Sequence, residues 1–130
     1  TLAAVHLSRE NLRLEFVEAV IDRVRSLTQS PLNAYLGPCL QKRSHALGEE
    51  YAQSFIKEAS GSEVFMSQAQ DGKCYFDYSG YASERLTKLG VSIAFRSEVD
   101  TLTDQHFFSS RGRKFGQDHG SGLGFIAFDH

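Results

Sequence analysis

Apolar positions divide the first quarter of the chain into a strand and a helix. Residues 2–5 form an uninterrupted apolar run, which is typical of a buried strand. Ser8 follows, and serine is a favoured residue at the start of a helix. From there apolar residues recur every three or four positions, as on the buried face of an amphipathic helix: Leu12, Phe16, Val20, Val24 and Leu27. We therefore expect a strand at 2–5 and a helix from Ser8 to about Leu27 that packs on a sheet or on another helix.

Shorter segments follow, in which strand and helix patterns alternate. The pattern predicts strands at 33–36, 63–66, 74–76, 91–95 and 124–128, and helices at 45–58 and 81–89. Gly90 closes the last helix, and a turn at 70–72 joins two of the strands as a hairpin. Several strand pairs are separated by turns too short for a parallel crossover. The expected fold class is α+β, a mixed β-sheet covered by about three helices in a single compact domain over residues 1–130.

Charge and composition exclude several classes of protein. The net charge of −2 leaves no excess of cations to replace the counterions of a nucleic acid, so we expect no nucleic-acid partner. No apolar run is long enough to cross a bilayer, and no signal segment opens the chain, so we expect no membrane partner. Two cysteines are too few for a disulfide framework, which favours a cytoplasmic protein with reduced thiols. The abrupt apolar start suggests a fragment of a longer protein.

Two residues near strand ends are candidates for chemistry. His6 ends the first predicted strand, where it is either a metal ligand or general base, or a hydrogen-bonded histidine at an element boundary. Cys39 follows a Gly-Pro pair that fixes the backbone around the thiol. If the next helix points its N-terminus at Cys39, the thiolate is favoured and His6 or His45 could act as its base. The alternative for Cys39 is a buried, inert thiol.

A basic cluster near the C-terminus is a candidate for anion binding. Arg111, Arg113 and Lys114 lie within four residues of one another. Guanidinium groups bind phosphate or carboxylate through paired hydrogen bonds. A solvated loop is the alternative, and the sequence leaves both open.

Four motifs, taken in order, resemble one known family. The segment Leu2-Ala-Ala-Val-His6 resembles "AAVHAGWRG", and Leu36-Gly-Pro-Cys-Leu40 with Ala46-Leu-Gly-Glu-Glu50 resembles "GPCI…YEVGEEV". Lys73-Cys-Tyr-Phe-Asp77 resembles "KWYLDL", and Phe107-Phe-Ser-Ser-Arg111 resembles "FFSYRR". These are motifs of the laccase-domain family, also called peptidoglycan editing factor, multicopper polyphenol oxidase or purine nucleoside phosphorylase-like. The resemblance extends over nearly all 130 residues and corresponds to the C-terminal half of family members.

The resemblance implies a metal-dependent hydrolase or nucleoside-processing protein. Activities credited to the family are amidase action on a peptidoglycan precursor, purine nucleoside phosphorolysis or deamination, and oxidation of phenols. Two histidines and a cysteine of the family hold zinc or copper, and His6 matches the last of these ligands. The other two belong to the N-terminal half, so the ligand set is incomplete here and neither Cys39 nor Cys74 is carried over as a ligand. Arg111 is implied as the group that binds an anionic part of a small-molecule substrate.

Departures from the family pattern keep other hypotheses open. The "AGWRG" after the histidine is Leu7-Ser-Arg-Glu-Asn11, and Asp100 stands where the family has a cysteine. Scaffold residues therefore match better than polar ones. The alternatives are a Cys39-based amidase or deamidase, and a non-catalytic scaffold or interaction domain that binds a partner chain or the missing N-terminal half. Among these hypotheses, the resemblance favours descent from a zinc-dependent hydrolase or phosphorylase whose site is incomplete in this chain.

Overall fold

A computed structural model describes residues 1–116, 120 and 122–127, and its elements combine parallel and antiparallel strands with helices. The described residues form four α-helices, which are α1 (Arg9–Arg13), α2 (Phe16–Arg25), α3 (Glu49–Glu58) and α4 (Tyr78–Lys88). The same part of the chain forms five strands, which are β1 (Asn33–Leu36), β2 (Ala46–Leu47), β3 (Met66–Gln68), β4 (Cys74–Phe76) and β5 (Ser92–Arg96). Short 3₁₀ helices lie at Lys42–Ser44, Ser62–Phe65 and Gly112–Phe115. The predicted compact α+β domain with mixed strand pairing is confirmed, and the part of the chain that is described contains four α-helices rather than about three.

The strands pair in two small sheets within this part of the chain. β1 and β5 pair in parallel, and the register of their pairing shifts between Ala34 and Tyr35. The other sheet is antiparallel in the order β2-β4-β3, and β3 and β4 form the predicted hairpin. Gly72 lies in the hairpin turn at φ 75°, a backbone conformation that glycine adopts without steric cost.

An aromatic core joins α3, α4 and β4. The ring centroids of Phe55 and Phe76 are 5.0 Å apart, and Tyr81 packs against both rings. Such tilted or edge-on aromatic pairs add to the stabilisation from apolar burial. Leu12, Val17 and Ile21 bring α1 and α2 onto the same core. None of the helices described combines the length and the apolar character needed to cross a bilayer.

The predicted strand at 2–5 is wrong. These residues have no regular structure, and Leu2 and Val5 are 39% and 45% exposed. A strand needs a neighbour to satisfy its backbone hydrogen bonds, and no described strand pairs with this segment. The apolar character of the run was therefore insufficient to make a strand.

The long helix predicted from Ser8 to Leu27 is divided in two. Ser8 does cap α1, since its Oγ accepts a hydrogen bond of 3.1 Å from the Asn11 amide. The helix ends at Arg13 because the Arg85 guanidinium donates to the carbonyls of Leu12 and Leu14, which a continuous helix would use internally. Beyond the break the buried positions shift, and Leu27 is 56% exposed.

Other boundaries move for local reasons. The helix predicted from 45 begins at Glu49 because β2 pairs with β4. The strand predicted at 63–66 is a 3₁₀ helix followed by β3 at 66–68, and the strand at 91–95 is β5 at 92–96. α4 begins at Tyr78, three residues early, because the Asp77 carboxylate accepts from the Gly80 amide at 2.9 Å and caps the helix. Gly90 follows α4 at φ 72°, as predicted. Residues 124–127 are not a strand, and residue 128 lies outside the described residues.

Candidate functional site

Cys39 lies where the parallel strand pair ends. The Cys39 amide donates to the Val99 carbonyl at 3.4 Å, and the Thr101 amide donates to the Cys39 carbonyl at 3.1 Å. Cys39 and Asp100 form an isolated parallel bridge that extends the pairing of β1 with β5. The carboxyl ends of parallel strands are where α/β sheets place functional groups. The structure therefore puts Cys39 and Asp100 at such an edge.

The surroundings of Cys39 keep its thiol protonated. Burial raises the pKa of Cys39; the hydrogen bond with Ser79 opposes this, and the charges of Asp77 and Asp100 add to it. The helix that contributes a hydrogen bond to the thiol is α4, which carries Ser79, and not α3, the next helix along the chain after Cys39. Within the described residues, the Cys39 Sγ makes no hydrogen bond to His6 or His45. The role of Cys39 as a nucleophile stays a prediction.

Asp100 is a buried carboxylate with a full set of partners. It is 2% exposed and accepts hydrogen bonds from Ser44 Oγ at 2.6 Å, Arg43 Nε at 3.2 Å and the Leu102 amide at 3.1 Å. Burial by itself raises the pKa of this carboxyl, but the hydrogen bonds outweigh burial and hold the pKa below its ordinary value. Asp100 thus holds the 42–44 turn against the end of β5, and we assign it a structural role.

His45 is the buried titratable residue that sequence reasoning considered only as a partner for Cys39. It is 3% exposed, and its ring centroid lies 5.8 Å from that of Phe76 and 5.7 Å from that of Tyr78. Its Nδ1 is buried without a hydrogen-bond partner. Burial, then the charges of Arg111 and Arg9, lower the pKa of His45 to about 4. The imidazole is therefore neutral at pH 7.

Arg111 is held directly beside His45. Its Nη1 donates to the carbonyls of Ser44 and Ala46, at 3.4 Å and 2.6 Å, which flank His45 in sequence. The guanidinium position is thereby fixed by backbone rather than by a carboxylate. The structure thus brings the predicted anion-binding residue next to a neutral histidine. Arg113 is exposed two residues further on.

The segment that carries His6 is attached to the same region. The Tyr78 hydroxyl donates to the Leu7 carbonyl, and Asn11 Nδ2 donates to the His6 carbonyl at 3.5 Å. Tyr78 also contacts the ring of His45. His6 itself is exposed. A hydrogen bond from α4, and not strand pairing, therefore holds the backbone next to His6.

The described residues do not supply a metal site. No group of three or more His, Cys, Asp or Glu side chains within 1–116, 120 and 122–127 is arranged to hold a metal ion. A catalytic zinc needs about three protein ligands. Cys39 and Cys74 are both free thiols. The donor set of the described residues therefore does not by itself fit zinc or copper, and the assignment of His6 as a ligand stays a prediction from the resemblance.

Comparison with known proteins identifies relatives of this chain. A purine nucleoside phosphorylase of Xylella fastidiosa strain Temecula1 is 26% identical over 113 residues, which are 85% of this chain and 43% of that protein. The protein of the same name from a second strain is 31% identical over 93 residues, 68% of this chain and 36% of the relative. The chain thus spans less than half the length of these curated relatives.

A solved structure and a family model agree with the resemblance in the sequence. The crystal structure of Neisseria meningitidis protein NMB0706 superposes with a TM-score of 0.64 at 21% identity, over 82% of this chain and 44% of that one. At this identity the superposition shows a shared fold. The model of the family described as multi-copper polyphenol oxidoreductase laccase matches residues 1–129. Since this match covers almost the whole chain, the chain belongs to the multi-copper polyphenol oxidoreductase laccase family.

Proposed function

We propose that this chain is a nucleoside-processing domain of the purine nucleoside phosphorylase type. The observation that carries the proposal is Arg111, fixed by the carbonyls of Ser44 and Ala46 beside the neutral, buried His45. The names of the relatives from Xylella fastidiosa point to the same substrate class. The proposed substrates are thus a purine nucleoside and, as a separate molecule, an anion of the phosphate type.

Phosphorolysis of a nucleoside requires two kinds of group from the protein. A phosphate oxygen forms a bond to the ribose C1′, the bond from C1′ to the purine nitrogen breaks, and its electron pair leaves with the purine, which takes up a proton. Arg111 has guanidinium N–H groups left over from its backbone contacts to orient the phosphate. We assign His45 to the polar surroundings of that anion, because a neutral imidazole both donates and accepts hydrogen bonds.

The metal-dependent activities of the family are not assigned to these residues. Amidase or deaminase chemistry of the family type needs a metal-activated water. His6 is the one ligand that the resemblance places in this chain, so a metal would need further ligands from outside the described residues. A cytoplasmic location, expected from the reduced thiols, likewise stays a prediction.

The Cys39-based amidase is the weaker alternative. A cysteine nucleophile acts as the thiolate, and the raised pKa of Cys39 disfavours that form. Its side chain also has no histidine partner within the described residues. We therefore place Cys39 in the wall of the site rather than at its reacting centre.

The proposal is tested by release of free base from inosine or adenosine, with and without inorganic phosphate, followed by liquid chromatography. We expect phosphate-dependent release by the 130-residue chain. Arg111→Gln should reduce kcat/KM at least about tenfold, since a hydrogen bond to a charged group contributes about 1.5–3 kcal/mol. The matched control Arg113→Gln removes an exposed charge nearby and should change the rate less than about twofold. A wild-type chain that is folded and releases no base refutes the activity for this chain.

A further inference from the structure

The segment 1–7 is attached to the rest of the protein mainly through one tyrosine. The segment has no regular structure and pairs with no described strand. Within the part of the chain that the structure describes, two hydrogen bonds reach its carbonyls: one from the Tyr78 hydroxyl to Leu7, and one of 3.5 Å from Asn11 Nδ2 to His6. The bond from Asn11 is exposed and longer than the usual range. The polar attachment of the backbone beside His6 therefore depends chiefly on Tyr78.

Tyr78 is itself fixed by its surroundings at the start of α4. The Asp77 amide donates to the Phe65 carbonyl at 2.8 Å, and the Asp77 carboxylate caps the helix by accepting from the Gly80 amide. The Tyr78 ring lies at an interplanar angle of 89° to the ring of Phe76. A side chain that is already held in this way loses little freedom when it holds a further group.

The Tyr78 hydroxyl is a hydrogen-bond donor at neutral pH. Burial, and then the charge of Cys39, raise the pKa of Tyr78 above its ordinary value. The hydroxyl therefore keeps its proton and donates it to the Leu7 carbonyl, which can only accept. Replacing Tyr78 by phenylalanine would remove this donor and keep the ring.

The ring of Tyr78 contacts the site proposed above. Its centroid lies 5.7 Å from the centroid of the His45 ring. His45 stands between Ser44 and Ala46, the two residues whose carbonyls hold Arg111. One side chain thus touches the segment that carries His6 with its hydroxyl, and the surroundings of Arg111 with its ring.

We propose that Tyr78 is a positioning residue for the Arg111 site, and that its hydroxyl fixes the Leu7 backbone so that the neighbouring His6 side chain faces the substrate bound beside Arg111. The inference rests on the proposed function for Arg111 and adds His6 and Tyr78 to that site. His6 is exposed, as a residue that meets a substrate from solvent must be. Tyr78 acts through the backbone and does not touch the substrate.

Backbone ¹⁵N relaxation of the 130-residue chain tests the positioning independently of activity. In the wild type we expect order parameters near the rigid value of about 0.85 for residues 6–8, and Tyr78→Phe should lower them to about 0.6 or below. The values for α3 and α4 should not change. The control Tyr35→Phe removes an exposed tyrosine hydroxyl and should leave residues 6–8 as they are. Asn11→Ala should have a smaller effect than Tyr78→Phe, because its hydrogen bond is longer.

A double-mutant cycle on base release separates positioning of His6 from a general structural role. Tyr78→Phe should lower kcat/KM about threefold to tenfold, the range that corresponds to one lost hydrogen bond. In a His6→Ala chain the same change should alter kcat/KM less than about twofold, because Tyr78 acts through His6. An equal loss in both backgrounds shows that Tyr78 supports the fold in general and overturns the proposal. Circular dichroism confirms that each variant is folded.

The two measurements distinguish failure of this inference from failure of the proposed function. Unchanged order parameters at residues 6–8 in Tyr78→Phe overturn the inference whatever the activity. Base release that depends on Arg111 and not on His6 supports the proposed function and overturns the inference. If the folded wild type releases no base and the order parameters of Tyr78→Phe still fall, the proposed function is refuted and Tyr78 remains the residue that positions His6.

Discussion

The neutral, buried His45 makes a quantitative prediction for the pH dependence of stability. In the unfolded chain a histidine has its ordinary pKa of 6.5, and in the folded protein the pKa of His45 is about 4. Between these values the unfolded chain binds more protons than the folded one, so the free energy of unfolding falls as the pH is lowered. Above pH 6.5 both states are neutral at this residue and the contribution is constant.

The size of the effect follows from the two pKa values. Their difference, 6.5 minus about 4, is about 2.5, and each unit corresponds to about 1.36 kcal/mol. His45 alone should therefore lower the free energy of unfolding by about 3 kcal/mol between pH 7 and pH 4. This is a large part of the 5–15 kcal/mol that is usual for a domain.

Urea unfolding at a series of pH values measures the effect, and His45→Phe isolates it. Phenylalanine keeps an aromatic ring against Phe76 and Tyr78 and cannot bind a proton. It also removes the unpaired Nδ1, so the variant should be about as stable as the wild type at pH 7. The wild type should then lose about 3 kcal/mol more than the variant by pH 4. Parallel pH curves for the two proteins would refute the assignment of His45 as a buried neutral group.

Three further results are expected from contacts elsewhere in the fold. Arg85→Ala should lower the free energy of unfolding by about 2 kcal/mol or more in urea, because it leaves the Leu12 and Leu14 carbonyls and the Glu18 carboxylate without their partner. Arg23→Ala should lower it by less than about 0.5 kcal/mol. Gly80→Ala should lower the free energy of unfolding by about 1–2 kcal/mol, because the added Cβ would collide with the Asp77 carboxylate that caps α4. Thermal unfolding measures this loss, and an unchanged Tm would contradict the cap. In a chain with Cys74 replaced by serine, Cys39 should react with iodoacetamide more slowly than a free thiol at pH 8, because its pKa is raised; a faster reaction would favour the nucleophile hypothesis.

Features set by neighbouring residues were predictable from the sequence. β1 and β4 lie where the apolar pattern predicts them, the turn at 70–72 joins the hairpin, and Gly90 ends α4 in the left-handed conformation. The Ser8 cap also follows from its own position, because a cap is a contact over three residues. Local chemistry is sufficient for these elements.

Features that depend on distant contacts were not predictable. The break after α1 is made by Arg85, more than 70 residues away from the Leu12 and Leu14 carbonyls. The position of His45 follows from the pairing of β2 with β4, and its proximity to Arg111 follows from a contact over more than 60 residues. A histidine followed directly by Ala46 and Leu47 is the signal in the sequence that could have indicated a buried imidazole.

The role of Arg85 at the break between α1 and α2 has a consequence for the order of events in folding. Residues 9–25 carry a helical pattern that continues through Leu14, so the isolated segment favours one uninterrupted helix. The break between α1 and α2 is stabilised by the Arg85 guanidinium, which reaches the Leu12 and Leu14 carbonyls once α4 has formed. Early in refolding, therefore, we expect more helix in this segment than the native state contains, and the excess is lost when α4 docks. The transient and native conformations of residues 9–25 then differ in whether the Arg85 side chain is bound to the Leu12 and Leu14 carbonyls.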